Sequence, residues 1–381
     1  MLIFIIIVAV VVTLTHIVTY VLGYKTWQDR YMRFGRIHLV LNVLSIIGMG
    51  VCWGAGRNGE IAGYALQIIS IWLMFQIFLS LLLLAGNLLQ YIYGRISRVP
   101  VDESRRTLAK GMAILPCAAA GAALYGGLVE KDATVIRSYD IPVENLGSRL
   151  EGFSLAQLSD VHLGPFFDLE ELRKLLEKTA AQKPDVLVIT GDLFDDAATT
   201  IKAARLLDSY VDAFPQGIYY CRGNHEHFRG IALLETALSG TRIHNMVNSN
   251  EQVLEDSRPL YIAGADYPMQ RDQFDFLRDA FVKQAMDGIP ENAVKVLLAH
   301  HPDFVIPAAG CNVELVLSGH THGGQLGFMG IPLVPKVFRY LRGWYRVDKT
   351  RLYVHCGNGS WFPFRLGCPP EIAIFKLQRA R

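Results

Sequence analysis

Five short polar clusters hold the residues of this 381-residue chain that could do chemistry. They are Ser159-Asp160-Val161-His162, Gly191-Asp192-Leu193-Phe194-Asp195, Gly223-Asn224-His225-Glu226, Ala299-His300-His301 and Ser318-Gly319-His320-Thr321-His322. Together they offer carboxylate oxygens, imidazole nitrogens and one amide oxygen, and no cysteine. Carboxylate with imidazole suits a first-row divalent cation, and the lack of thiolate argues against a structural zinc knot. Two cations about 3.5–4 Å apart need one shared anionic ligand and some six protein ligands around it. The clusters supply that number. Taken singly, each residue has a plainer reading: an Asp or Asn after a strand is commonly a turn former, and a lone His is commonly structural. Five clusters in order, each closing an apolar run, outweigh that reading.

The runs that must position these groups read as strands. Residues 153–158, 186–189, 218–221, 294–299 and 313–317 are short and apolar, and each feeds directly into one of the clusters. Residues 169–182 and 201–214 have helical spacing, and 134–143 alternates like an edge strand. Strands alternating with helices predict an α/β domain over 131–381. In such folds the loops at the carboxyl ends of the strands converge on one crevice. Asp160, His162, Asp192, Asn224, His225, His300, His320 and His322 are therefore expected to meet.

Asp160-Val-His162, Gly191-Asp192-Leu-Phe-Asp195, Gly223-Asn224-His225-Glu226, Ala299-His300 and Gly319-His320-Thr-His322 resemble the full motif set of the calcineurin-like metallophosphoesterases. The longer run GHTHGGQ at 319–325, with PPEI at 369–372, is similar to a bacterial branch that is often membrane-bound or exported. The resemblance implies an α/β/β/α sandwich and a metal-dependent phosphoric ester hydrolase using two divalent ions, manganese, iron or zinc. One ion would be held by Asp160, His162, Asp192 and His322, the other by Asp192, Asn224, His300 and His320. Asp192 bridges in this scheme because a carboxylate can give an oxygen to each cation while offsetting their charge. A water between the ions would ionise near neutral pH, since one bound zinc already brings its pKa to about 7. The resulting bridging hydroxide would attack phosphorus, and both ions would stabilise the charge that develops. His225 would donate to the leaving oxygen, oriented by Asp195 or, alternatively, by Glu226. His301 matches a variable position. Arg222 and Arg365 could touch phosphate, but surface or salt-bridge roles weigh more. Gly323 and Gly324 would let the backbone pass close to the metals. His16, His38, His227, His244 and His355 have no motif partner and read as structural.

Upstream of residue 130 the composition changes. The chain is 51% hydrophobic with a mean hydropathy of +0.25, and the excess lies almost entirely in this region. Residues 1–23 carry no Asp, Glu, Lys or Arg, are long enough to cross a core about 30 Å thick, and lack the basic start of a signal peptide. Residues 37–56 form a second candidate span. Residues 61–94 form a third, roughly 50 Å long as a helix, which must tilt or leave an end in the headgroups. Residues 108–129 form a fourth, with Ala118, Ala122 and Gly126 spaced for close helix approach, or else a buried or signal-like helix. The expectation is thus a four-helix transmembrane region over 1–130.

The first loop carries Lys25, Arg30, Arg33 and Arg36, the third Arg95, Arg98, Arg105, Arg106 and Lys110, and the second only Arg57 and Glu60. Basic loops stay cytoplasmic, which predicts a multi-pass protein of a bacterial cytoplasmic membrane with its catalytic domain on the extracytoplasmic side. Arg105-Arg106 within SRRTLAK resembles a twin-arginine export signal; as simple topogenic charges the pair leads to the same placement.

A formal net charge of +2 gives no reason to expect a nucleic-acid partner. Six cysteines without a CxxC pair indicate neither zinc ribbon nor disulfide framework; Cys356 and Cys368 are either bridged or buried free thiols. The expected substrate is a phosphomonoester or phosphodiester, including lipid-linked or envelope phosphate. A non-catalytic membrane receptor and a transporter are the competing classes. Retention of Asp192, Asn224 and His225 weighs against the first, and spans almost free of charge against the second.

Overall fold

The computed structural model describes residues 2–27, 29–54, 60–96, 114–328, 331–333, 338–360 and 362–380. The chain divides into two compact units, one of residues 1–130 with 362–366 and one of 131–361 with 367–381.

The first unit contains helices α1 (Leu2–Trp27), α2 (Asp29–Gly54), α3 (Glu60–Ile96) and α4 (Leu115–Leu128). Three stretches, Ile6–Gly23, Phe34–Cys52 and Ile61–Tyr93, are long and apolar enough to cross a membrane. The described helices outnumber the spans by one. At 14 residues, α4 is about 21 Å long and falls short of a hydrocarbon core of about 30 Å. The expected fourth span is therefore not found among the described residues, and 108–113 lie outside them. So do the loop charges Arg57, Arg98, Arg105, Arg106 and Lys110.

The close-approach face of α4 is also displaced from the expected one. Ala119, Ala123, Gly126 and Gly127 are buried, whereas Ala118 is exposed and Ala122 is half-buried. The reason is local: the α-carbon of Gly127 lies so close to Ile71 of α3 that a methyl group there would meet Ile71 Cγ1 at 2.4 Å. Several polar groups inside this unit pair with one another. Thr19 Oγ1 and Ser80 Oγ lie 2.9 Å apart, Trp72 Nε1 donates to Asn42 Oδ1 at 2.9 Å, and Gln67 Nε2 donates to the Gly127 carbonyl at 2.7 Å. Such internal pairing is what a chain without surrounding water requires.

The second unit is built on two six-stranded mixed sheets. One runs β1 (Val135–Val143), β14 (Glu371–Arg379), β2 (Ser154–Leu158), β3 (Val186–Thr190), β4 (Ile218–Cys221), β5 (His244–Asn245). The other runs β12 (Gly343–Val347), β13 (Thr350–Val354), β9 (Leu315–Ser318), β8 (Val294–Ala299), β7 (Leu260–Ala265), β6 (Ser249–Leu254). A two-stranded hairpin, β10 (Gly327–Phe328) with β11 (Ile331–Pro332), stands apart. Their inner faces bury Val186, Val188, Ile262, Val296, Leu298, Leu315, Leu317 and Phe375 against one another. The outer face of the first sheet packs on α5 (Leu169–Ala180), α6 (Thr200–Asp208) and α8 (Ile231–Leu238), the last preceded in the chain by the short α7 (Asn224–Arg229). The outer face of the second packs on α9 (Phe274–Ala285) and α10 (Val305–Gly310). The layers are thus α/β/β/α. Strands β3 and β8 are buried at every position, as strands covered on both faces must be.

Local chemistry explains the boundaries. Asp168 and Glu171 form a reciprocal capping box that starts α5. The helix expected over 201–214 stops at Asp208, and a 3-10 turn (Val211–Ala213) delivers buried Phe214 to the core. β1 runs at the edge of its sheet through Pro142, where a missing N–H is tolerated. Cys356 and Cys368 are both buried.

Candidate metal centre

β2, β3 and β4 pair in parallel, as do β7, β8 and β9. Their carboxyl ends lie along the same edge, and all but β7 are followed by one of the polar clusters. Gln157 at the end of β2 ties the sheets together beneath that edge, donating to Thr190 Oγ1 at 2.8 Å and to the Ser318 carbonyl at 3.1 Å. To turn the side chains inward, the backbone leaves its favoured regions. Asp160 (φ 51°), His162 (50°), Asp192 (52°), His320 (73°) and His322 (51°) are all left-handed. Each such non-glycine residue costs roughly 1–2 kcal/mol, and strain of this kind concentrates at functional sites.

Ligand atoms gather in three overlapping groups, each within 4.8 Å: Asp160, His162 and His322; His162, Asp192 and His225; Asp192, His300 and His320. Asp192 stands in the middle, its Oδ2 3.6 Å from His162 Nε2 and 3.1 Å from His300 Nε2. On one side, His162 Nε2 and His322 Nε2 are 3.0 Å apart and Asp160 Oδ1 is 3.6 Å from His322 Nε2. On the other, His320 Nδ1 is 3.0 Å from Asn224 Oδ1 and 3.2 Å from His300 Nε2. All seven expected ligands, Asp160, His162, Asp192, Asn224, His300, His320 and His322, are therefore brought together.

The donor set fits divalent cations. His300 Nδ1 must carry its proton, because it donates to the Thr190 carbonyl at 2.7 Å. In the neutral ring that leaves a lone pair on Nε2, facing Asp192. His162 Nδ1 lies 3.1 Å from Asp195 Oδ2, which likewise frees its Nε2. Fixing the outer nitrogen in this way is the usual device for orienting a metal-bound histidine. Lone pairs and carboxylates aimed at one another at 3.0–3.6 Å call for positive charge between them. Titration points the same way. Burial acts to raise the Asp192 carboxyl, but His300, His162 and His225 hold it well below the usual carboxylate range. Burial acts to depress His300, but Asp192 pushes it well up. Away from Asp192, burial followed by His300 and Arg278 pushes His301 down to about 3.

A second layer of side chains steadies the first. Asp195 lies 2.9 Å from His225 Nδ1, and it accepts from Arg229 Nε at 2.7 Å. Glu226 faces elsewhere: its carboxylate accepts from the backbone N–H groups of Asp192 (3.1 Å), Leu193 (2.8 Å), Phe194 (3.0 Å) and Gly223 (2.9 Å). Of the two carboxylates expected near His225, Asp195 is thus the one at its ring. The Asp192 carboxylate accepts from the His225 backbone N–H at 2.9 Å, and Asp160 accepts from Ser159 Oγ at 2.6 Å and the His320 N–H at 2.9 Å.

Other candidates lie outside these groups. Arg222 is spent on Glu235 (2.9 Å) and Asp266 (3.5 Å). Arg365 is fully buried rather than at a surface. His301 packs its ring against Phe274 and His320. His227 and His244 pair with Asp266 and Glu251. Gly323 and Gly324 are both left-handed beside His322.

Tyr267 and Phe338 were not among the expected site residues. Tyr267 lies 6.0 Å from the His300 ring and 5.8 Å from His320, and Phe338 lies 5.6 Å from His320. A signal for Tyr267 existed, since Asp266-Tyr267 follows the carboxyl end of β7 as the polar clusters follow theirs.

Comparison with known proteins agrees with this geometry. The family model described as calcineurin-like phosphoesterase matches residues 153–324. A Bacillus subtilis metallophosphoesterase, YkuE, is 30% identical over 298 residues, covering 72% of this chain and 98% of that one. A Caenorhabditis elegans metallophosphoesterase is 32% identical over 233 residues, 59% of this chain, and only about half of its length (48%) is spanned. A Danio rerio transmembrane protein with a metallophosphoesterase domain is 31% identical over 274 residues, 68% of this chain and 60% of that one.

Proposed function

The chain belongs to the calcineurin-like phosphoesterase family, and from that membership we propose that it is a membrane-anchored enzyme hydrolysing a phosphomonoester or phosphodiester. The observation that carries the reading is the meeting of seven ligand side chains from five separate loops around the Asp192 carboxylate. Asp160, His162 and His322 would hold one divalent ion, and Asn224, His300 and His320 a second, with Asp192 common to both. Manganese, iron and zinc all suit this oxygen and nitrogen set. When bound, such ions polarise phosphoryl oxygens and make a water acidic enough to ionise near neutral pH.

The chain's own residues do the rest. Asn224 adds an oxygen without adding charge. His225, held at Nδ1 by Asp195, keeps or gives a proton at the leaving oxygen. Asp195 touches His162 as well as His225, so one carboxylate orients a ligand and the proton donor together. Residues 1–130 serve as the anchor and 131–381 as the catalytic domain, facing the extracytoplasmic side of a bacterial membrane. Tethering keeps the site near lipid, which makes lipid-linked and envelope phosphate esters the leading substrates.

The test is hydrolysis of a chromogenic phosphodiester by the full chain, purified in detergent with manganese. Asp192→Asn is expected to lower the rate at least about a hundredfold while leaving the thermal midpoint of the metal-free protein in place. An unchanged rate would overturn the shared-ligand assignment.

A further inference from the structure

Hairpin β10–β11 is rooted at both ends in the metal centre. It begins five residues after His322, and the chain returns to place Phe338 edge-on to His320. Between these roots it turns its large side chains outward: Phe328, Ile331 and Leu333 are 66%, 66% and 62% exposed. Phe228, whose ring packs against His225 at 5.5 Å, is 59% exposed as well. Three bulky apolar residues on one short hairpin are not needed for its fold, since none is buried in a core. Soluble surfaces seldom gather such groups without a partner.

The charge along this segment is one-sided. From Leu326 to Arg342 the sequence has Lys336, Arg339 and Arg342 and no Asp or Glu. Exposed aromatic and aliphatic side chains flanked only by cations are what a segment needs to enter the headgroup region of an anionic bilayer. The same chain has three helices long and apolar enough to cross such a bilayer.

We propose that hairpin β10–β11 is a lipid-docking element, inserting Phe328, Ile331 and Leu333 into an anionic bilayer surface and opening the metal centre toward phosphate esters seated in lipid. This rests on the membrane-anchored reading above and narrows its substrate to amphiphiles.

The experiment uses the full chain in nanodiscs containing phosphatidylglycerol, with Cys52, Cys117 and Cys311 changed to Ala. An environment-sensitive fluorophore is attached at Phe328→Cys, Ile331→Cys or, as a polar control, Lys174→Cys. Brominated acyl chains should quench the label at 328 and 331 several-fold more than at 174, and less so in discs of phosphatidylcholine alone. Equal quenching at all three positions overturns the proposal. So does a label at 328 already shielded from aqueous quenchers in detergent-free, lipid-depleted protein, which would mean a protein surface covers the hairpin. Co-elution with the discs checks the anchor separately, so missing quenching in loaded discs counts against the hairpin alone. Phe328→Ser/Ile331→Ser should lower kcat/KM for a phosphate ester embedded in vesicles on the order of tenfold, with a water-soluble ester unaffected. Equal loss on both substrates contradicts docking. A wild-type chain inactive on every ester would count against the catalytic reading and leave the quenching result to stand by itself.

Discussion

At the scale of single residues, Asp195 and Glu226 carry the most information after the ligands. Both are acids within the motif clusters, yet they serve different neighbours. Asp195 sits among His162, His225 and Arg229, so removing its charge should disturb metal affinity and proton donation together. Asp195→Asn is expected to weaken metal binding and turnover about 10–100-fold, read by metal titration and by rates at saturating metal; a change in neither would make the carboxylate a bystander. Glu226 gathers four backbone N–H groups from the loops bearing Asp192 and Asn224. Glu226→Ala leaves those donors buried without an acceptor, at about 1–3 kcal/mol for an unsatisfied group. Chemical denaturation should show the loss in the metal-free protein, which separates it from an effect on metal alone.

At the scale of elements, the strands set position and the left-handed turns set direction. Gly191 (φ 84°) marks how tightly β3 hands over to its cluster. A methyl group there would come within 2.7 Å of the Gly223 nitrogen and of His300 Nδ1. Gly191→Ala is therefore expected to cost about 1–3 kcal/mol from overpacking, with a further penalty from the backbone conformation. A thermal melt of the variant checks it, and an unchanged midpoint would mean the loop has room to move. The strand-end rule was legible because buried parallel strands are continuous apolar runs with polar ends. Strands β5 and β6 were not legible in the chain, since β6 is half-exposed and β5 is two residues long, leaving no period to detect. Among the helices, α4 kept its small-residue character but turned a different face inward, because Ile71 decides which side can approach.

At the scale of the whole molecule, ligands drawn from loops between Asp160 and His322 mean that bound metal ties both sheets to one point. Metal at a thousand times its dissociation constant adds about 4 kcal/mol per site, roughly 10 °C in the midpoint of a domain this size. Thermal melts with and without chelator should show that gap, and coincident curves would speak against a built metal site. Three apolar stretches lie in the described part of the first unit. The basic loops predict that an enzymatic reporter fused after Arg381 behaves as an exported protein. Activity confined to a reporter that works only in the cytoplasm would reverse the orientation.

The residue types, their order and their strand-end placement were open to inspection in the chain alone, because metal chemistry restricts ligands to a few side chains and parallel sheets send loops to one edge. The amphipathic starts and apolar spans were equally local properties. What needed the folded molecule was everything decided by distance across the chain. That covers which acid touches His225, that Asp192 Oδ2 faces both histidine sets, that Tyr267 and Phe338 wall the centre, and that the hairpin beside it presents bare apolar groups. No periodicity encodes these facts. They arise from how two sheets and their loops pack, and packing depends on shape complementarity between segments far apart in the chain.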